Sequence, residues 1–334
     1  MIKKSWLMLC LILGILAFCG CIGLSQSSAK FQLALPIDCQ LGKDCFIFHY
    51  VDVEPDEREI DVNCGRQTYN NHKGTDFGIA NLKVMEKGVK VLAVAAGEVK
   101  RVRDGVIDRL VVNSEDILQV EGQECGNGMV IAHGLGWETQ YCHLKQGSVA
   151  VKPGDKVEEG TILGLVGTSG KSSFPHVHLT VRHENKVIDP FSGKAAISGC
   201  RTEKNPLWKS KIDYQGTGLI NVGFALKGPN SVELWQGQFL DNQLPLNSQA
   251  LVFWVHLFGI LEGDKESFTL IDPNEKIIIE EESTAKKSYR NWVSYVGKKN
   301  SNRNPLITGT WIGKYQLKRN SKVIIELTNK IEVI

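Results

Sequence analysis

Three short clusters hold the residues whose types and spacing could do chemistry. Asn71-His72-Lys73-Gly74-Thr75-Asp76-Phe77-Gly78 sets an imidazole and a carboxylate four positions apart. On a helix that spacing shares a face. Gly74 and Gly78 argue against a helix, so a curved loop-to-strand segment would have to bring the two side chains together. A histidine with one carboxylate suits Zn²⁺, which takes imidazole nitrogen and carboxylate oxygen. A solvated turn explains the same pair as readily. The second cluster is Phe174-Pro175-His176-Val177-His178-Leu179-Thr180-Val181. From His176 it alternates as a strand does, so His176 and His178 share one face while Val177 and Leu179 point to a core. Two imidazoles side by side on a sheet surface call for a metal or a catalytic role. The third cluster is Trp137-Glu138-Thr139-Gln140-Tyr141-Cys142-His143-Leu144. Alternation puts Tyr141 and His143 on one face and Cys142 on the other. His133, across the intervening turn, is a competing ligand or a structural residue of that turn. His183 follows Arg182 and reads as surface.

In this order, His72-x-x-x-Asp76, Tyr141-x-His143-Leu144 and His176-x-His178 resemble the lysostaphin/LytM-type zinc metalloendopeptidases. The stretch Val151 to Gly170, with Pro153-Gly154-Asp155, Gly160 and Gly164-x-x-Gly167-x-Ser169-Gly170, is similar to the glycine-punctuated segment before that family's last motif. The resemblance covers about residues 64–195. It implies a compact antiparallel β domain with an open groove. It also implies His72, Asp76 and His178 as zinc ligands, with His143 and His176 as catalytic histidines that do not bind the metal. Three protein ligands would leave a position for water, whose pKa zinc lowers from 15.7 toward roughly 7. The implied reaction is hydrolysis of a peptide bond in peptidoglycan stem peptides or cross-links. A secreted metallopeptidase acting on proteins is one alternative. A non-catalytic envelope activator of a peptidoglycan hydrolase is another, although all five positions are retained here.

The elements that must position these residues read as strands. Val89 to Val94, Gly97 to Val102 and Met129 to His133 alternate or run apolar, and Gly134-Leu135-Gly136 reads as a hairpin turn. Residues 64–200 are therefore expected to be antiparallel β, without a long amphipathic helix. Residues 25–63, with Asp52-Val53-Glu54-Pro55-Asp56-Glu57, read as a polar, acidic extension tied down by Cys39 and Cys45. After Pro206, residues 207–334 are again strand after strand, as in Ala250 to Val255, Phe268 to Ile271 and Lys322 to Leu327. Regular short strands with turn signals predict a β-sandwich, immunoglobulin-like. Trp292, Trp311 and Tyr315 read as its core, and His256 as a satisfied core histidine. The expected fold class is all-β.

The chain has 334 residues, which at roughly 100–200 per domain suggests two domains. Its 39 Lys+Arg nearly balance 37 Asp+Glu, which argues against binding driven by nucleic-acid phosphates. A hydrophobic content of 42% with 23% charged residues excludes disorder as the main state. Lys3 and Lys4 followed by an uncharged run from Trp6 to Leu24 predict an export segment over residues 1–24. Gly20-Cys21 partly resembles a lipoprotein cleavage box, so a lipid on Cys21, simple cleavage nearby and an uncleaved anchor all stay open. The expected place is the periplasm or cell envelope, or secretion. Outside that segment stand Cys39, Cys45, Cys64, Cys125, Cys142 and Cys200. An even number in an exported chain predicts disulfides. The hairpin favours Cys125–Cys142, leaving four cysteines for two more bridges.

Overall fold

The structure is a computed structural model that describes residues 30–334, so the expected export segment and Cys21 lie outside the described residues. Among the described residues no helix is long and apolar enough to cross a membrane.

The first sheet carries the histidine motifs. Its strands are β1 (Cys45–His49), β2 (Thr75–Ile79), β4 (Gly97–Arg103), β5 (Asn127–Gly134), β6 (Trp137–Leu144), β7 (Lys156–Val157) and β9 (His176–His183), in the order β1-β2-β9-β6-β5-β4-β7. β10 (Lys186–Asp189) pairs with β9 and with β11 (Lys194–Ala195), and every pairing in the sheet is antiparallel. β3 (Lys90–Leu92) and β8 (Ile162–Leu165) form a separate antiparallel pair. The helices here, α1 (Leu82–Lys87) and α2 (Ser114–Leu118), are single turns. The β5–β6 hairpin turns at Leu135 and Gly136, φ +48° and +79°. Two successive left-handed residues suit the twist of a two-residue hairpin, and glycine takes the second at no steric cost.

The strand β1 comes from the extension. Residues expected as a lead-in before position 64 supply the edge strand of the sheet, and Leu33 and Ile37 bridge to Trp208 and Val91. Cys39 and Cys45 bond to each other, so they pinch a loop and do not tether the extension. The tether is Cys64–Cys200, together with β1 itself. Cys125–Cys142 is bonded, as the hairpin suggested.

The C-terminal strands form two further sheets. β12 (Gly218–Ala225), β14 (Ala250–Ile260) and β17 (Tyr289–Lys299) make one, in the order β12-β14-β17. β13 (Gln243–Leu244), β15 (Lys265–Ile271), β16 (Ile277–Thr284), β18 (Gly309–Arg319) and β19 (Lys322–Val333) make the other, in the order β13-β19-β18-β15-β16. All these pairs are antiparallel except the short β13–β19. β14 explains why the sheets stack. Leu251, Phe253, Val255 and Leu257 share a core with Phe268, Leu270, Trp311, Tyr315 and Ile331 of the five-stranded sheet. Its alternate residues Val252 and Trp254 pack with Leu234 of α3 (Ser231–Trp235) on the opposite side. A strand buried on both faces loses the polar alternation of a half-exposed one. Trp311 and Tyr315 are core residues as expected, while Trp292 is partly exposed and donates to Glu266 Oε1 at 3.1 Å.

His256 is only half satisfied. Its Nε2 donates to Asn291 Oδ1 at 2.6 Å, and its fully buried Nδ1 has no partner. Burial pushes its pKa down to about 4, against about 6.5 in an unfolded chain. The unfolded state therefore binds the proton first, and stability falls as pH drops from 6.5 toward 4. His256→Leu is expected to remove about 2–3 kcal/mol of that acid loss. Urea midpoints of both chains at pH 7 and pH 4.5 check it; equal acid sensitivity would reject it.

Candidate metal centre

One rung of the first sheet builds the centre. His49 of β1 pairs with Asp76 of β2, Asp76 with His178 of β9, and His178 with Cys142 of β6. Residues opposite one another on a rung project from the same face, so the pairing register brings the imidazoles to the carboxylate. His72 arrives from the loop before β2. Gly74 lets it in: a Cβ there would fall on the His178 ring and on the Leu179 carbonyl oxygen.

The result is a tight donor set. His72 Nε2 lies 3.1 Å from both Asp76 Oδ1 and His178 Nδ1, and the last two are 2.8 Å apart. Tetrahedral ligands at about 2.0–2.1 Å from zinc sit roughly 3.3 Å from each other, so these three atoms are near the spacing one ion requires. The outer nitrogens agree. His72 Nδ1 donates to the Tyr50 carbonyl at 2.7 Å, which leaves Nε2 its lone pair. His178 Nε2 meets Thr180 Oγ1 at 3.0 Å and turns Nδ1 inward. Such outer bonds orient ligands and set their tautomers. His72, Asp76 and His178 could therefore hold a metal ion.

His143 and His176 stand beside the donor set. Their rings are 4.6 Å apart, and His143 is 5.9 Å from His178. His176 Nδ1 donates to the Phe174 carbonyl and His143 Nδ1 to the Ser169 carbonyl, each at 2.8 Å. Both keep a lone pair on Nε2, and His176 Nε2 is 3.6 Å from Asp76 Oδ1. Burial lowers the pKa of His176 to about 4, and burial with two neighbouring imidazoles holds His143 well below the usual range. Burial alone would raise Asp76, but the surrounding histidines hold it well below the ordinary carboxylate range.

His143 does not follow strand alternation. Tyr141 pairs with Leu179 and is buried on the face opposite His178, so alternation alone would send His143 there too. The backbone at His143 is left-handed, φ +65°, and this turns the ring back toward His176. A non-glycine residue in that region costs of order 1–3 kcal/mol. The adjoining Cys125–Cys142 bridge and the bond from His143 N–H to the Cys125 carbonyl hold it there.

Two residues near the centre escaped the motif reading. Tyr69 lays its half-exposed ring 4.3 Å from that of His72. His49 Nδ1 donates to Asp76 Oδ2 at 2.9 Å, the carboxylate oxygen turned away from the donor set. His49→Ala is expected to weaken metal binding by about 10- to 100-fold, as loss of an outer-shell partner does elsewhere. Competition with a chelator of known affinity measures it, and unchanged affinity would show that Asp76 is held without His49. His133 and His183 lie outside the cluster. His133 bonds the Ala96 carbonyl and Thr139 Oγ1, and His183 stacks on Trp137 and bonds the Leu135 carbonyl.

An antiparallel sheet that gathers an imidazole–carboxylate–imidazole set, with two further imidazoles beside it, defines a β protein with a group of side chains that could hold a metal ion. Residues 70–190 match Peptidase family M23, and this central segment is an M23 peptidase domain, in agreement with the resemblance read from the three motifs. The chain is 34% identical over 134 residues to an uncharacterized metalloprotease of Buchnera aphidicola subsp. Baizongia pistaciae, covering 40% of this chain and 28% of the relative. It is 43% identical over 79 residues to the peptidoglycan DD-endopeptidase ShyA of Vibrio cholerae, covering 24% and 18%. The chain thus spans less than a third of the length of either relative. The catalytic domain of lysostaphin from Staphylococcus simulans is similar at 21% identity and a TM-score of 0.28, over 42% of this chain and 86% of that one.

Proposed function

We propose that the protein is an exported zinc metalloendopeptidase that hydrolyses peptide bonds in peptidoglycan stem peptides or cross-links. The observation that carries this reading is the convergence of His72 Nε2, Asp76 Oδ1 and His178 Nδ1 beside two histidines whose Nδ1 atoms are each engaged by a backbone carbonyl. In this reading His72, Asp76 and His178 are the zinc ligands, and His143 and His176 are catalytic. Zinc held there supplies a Lewis acid and lowers the pKa of water toward about 7. His143 or His176 would take the one proton that the attacking water gives up and return it to the leaving amine, the other helping to orient the reacting groups. Asp76 stays ionised, because His49 donates to its Oδ2 and the histidines around it hold its carboxyl well below the ordinary range. A cavity of about 330 Å³ adjoins His72 and is lined by Pro55, Lys73, Val187 and Ile197.

The substrate class draws support from relatives named as peptidoglycan endopeptidases. Three disulfides support an oxidising place such as the periplasm or envelope. We assign residues 64–200 to the peptidase unit, preceded by the extension 25–63 and followed by a sandwich unit over 207–334. The intact set of five residues speaks against a purely non-catalytic activator.

The test is metal content joined to product analysis. Residues 25–334 are assayed for zinc, incubated with isolated peptidoglycan, and the products read by mass spectrometry. About one zinc per chain with new peptide termini is the expected result. Absence of zinc when the metal is supplied throughout purification would overturn the reading at its first step.

A further inference from the structure

The catalytic side of the first sheet and the C-terminal sheets share one aromatic cluster. Phe46 and Phe48 of β1, Phe174 of the loop before β9, Trp235 of α3, Ile220 of β12 and Phe258 of β14 are all buried together. Phe258 stacks on Phe46 at 5.6 Å and meets Phe48 at 6.1 Å. The cluster ends on His176. Phe174 lies nearly parallel to the His176 ring, 4.2 Å away at 14°, and its carbonyl takes the Nδ1 proton of the same ring. Phe174 thus bears on both the plane and the tautomer of His176, with Ser172 Oγ a further neighbour of Nδ1 at 3.2 Å.

Phe174 does not hold itself. It sits in a loop, where backbone pairing restrains a side chain least. Its ring is walled by Phe48 at 4.6 Å and by Trp235 at 5.2 Å. Trp235 is 4% exposed and comes from the C-terminal part of the chain, on a one-turn helix whose start is fixed by a reciprocal Asn230–Glu233 cap. Its ring also touches His256 at 4.7 Å. An aromatic side chain immobilised on two sides cannot tilt without opening a void, and packed interiors resist voids.

We propose that Trp235 is a positioning residue for His176, acting through Phe174, so that the C-terminal sheets complete the catalytic centre. The inference rests on the reading of His176 as catalytic. A general acid–base group must hold its geometry closely, since a misplacement of about 1 Å can cost about 100-fold in rate. Removing the Trp235 ring frees Phe174, and through it the His176 ring, without touching a ligand atom of the donor set.

The experiment uses the full-length, zinc-loaded protein with Trp235→Ala, Trp235→Leu and Trp235→Phe. Trp235→Ala is expected to lower kcat about 10- to 100-fold, with KM within twofold and one zinc per chain. Trp235→Phe restores a flat wall and is expected to recover most of kcat. Trp235→Leu keeps apolar burial without a ring, so it serves if the alanine variant does not fold, and it is expected to stay impaired. Ring resonances of ¹³C-labelled histidines give a second readout: those of His176 and His256 shift or double in the alanine and leucine variants, and that of His183 does not. Wild-type kcat in a folded Trp235→Ala or Trp235→Leu protein, or an unmoved His176 resonance, would overturn the proposal. If the wild-type protein cleaves no peptidoglycan peptide, the functional reading fails while the histidine resonances still decide the positioning.

Discussion

His178→Ala is expected to leave a folded protein with less than about one tenth of a zinc per chain and no detectable hydrolysis. The reason is geometric. The three donor atoms lie within 3.1 Å of one another, and removing Nδ1 of His178 leaves two, too few for a three-ligand catalytic site. His143→Ala is the informative partner. Its ring makes no bond to the donor set, so zinc should stay at one per chain while kcat falls about 10²- to 10⁴-fold, the usual worth of a general acid or base. His183→Ala should change neither, since that ring is engaged with Trp137 and the Leu135 carbonyl. Metal analysis and initial rates on the three proteins suffice. Full zinc occupancy in His178→Ala, or loss of zinc in His143→Ala, would reverse the assignment of ligands and catalysts.

Ending the chain at residue 212 is expected to abolish folding of the remaining part, although that part retains all five site residues and the whole segment 70–190. Truncation removes Trp235, Ile220 and Phe258 and exposes Phe46, Phe48 and Phe174. Burying a large apolar side chain contributes about 1.5–3 kcal/mol, so three exposed aromatics forfeit about 5–9 kcal/mol, close to the whole stability of a typical domain. It also removes the Tyr214 hydroxyl that donates to Asp61 and the Gln215 N–H that donates to Tyr50. Residues 32–334 form one compact unit, which is the structural counterpart of this expectation. The shortened protein should be recovered only as aggregate, or without a cooperative thermal transition. A soluble, zinc-loaded fragment melting near the full-length temperature would show that the aromatic cluster is dispensable for the fold.

What could be read in the residue order was local. His176 and His178 announced themselves through the two-residue period of a strand, and that strand forms. The Leu135–Gly136 turn carried its own backbone chemistry, and with it the Cys125–Cys142 pairing. His49 was hidden because it lies in the stretch read as an extension and its role depends on β1 pairing with β2, 27 positions further on. His143 was visible as a candidate but its face was not, since a single left-handed residue undoes the alternation from which faces are inferred. The aromatic cluster draws on three strands, one helix and one loop spread from residue 46 to residue 258, and no short window contains more than two of its members. Long-range register decided each of these features, and periodicity does not encode it.

The three bridges bear on which metal sites the chain can offer. Thiolates are strong zinc ligands, and the described residues contain six cysteines against three oxygen and nitrogen donors at the centre. Cys39 and Cys45, with Asp44 between them, would form a rival chelate if they were reduced. Every one of the six is consumed in a bridge, and a sulfur so bonded is no longer a thiolate. With the thiols oxidised, the sulfur competitors are withdrawn and the imidazole–carboxylate set is, among the described residues, the remaining group that could hold an ion.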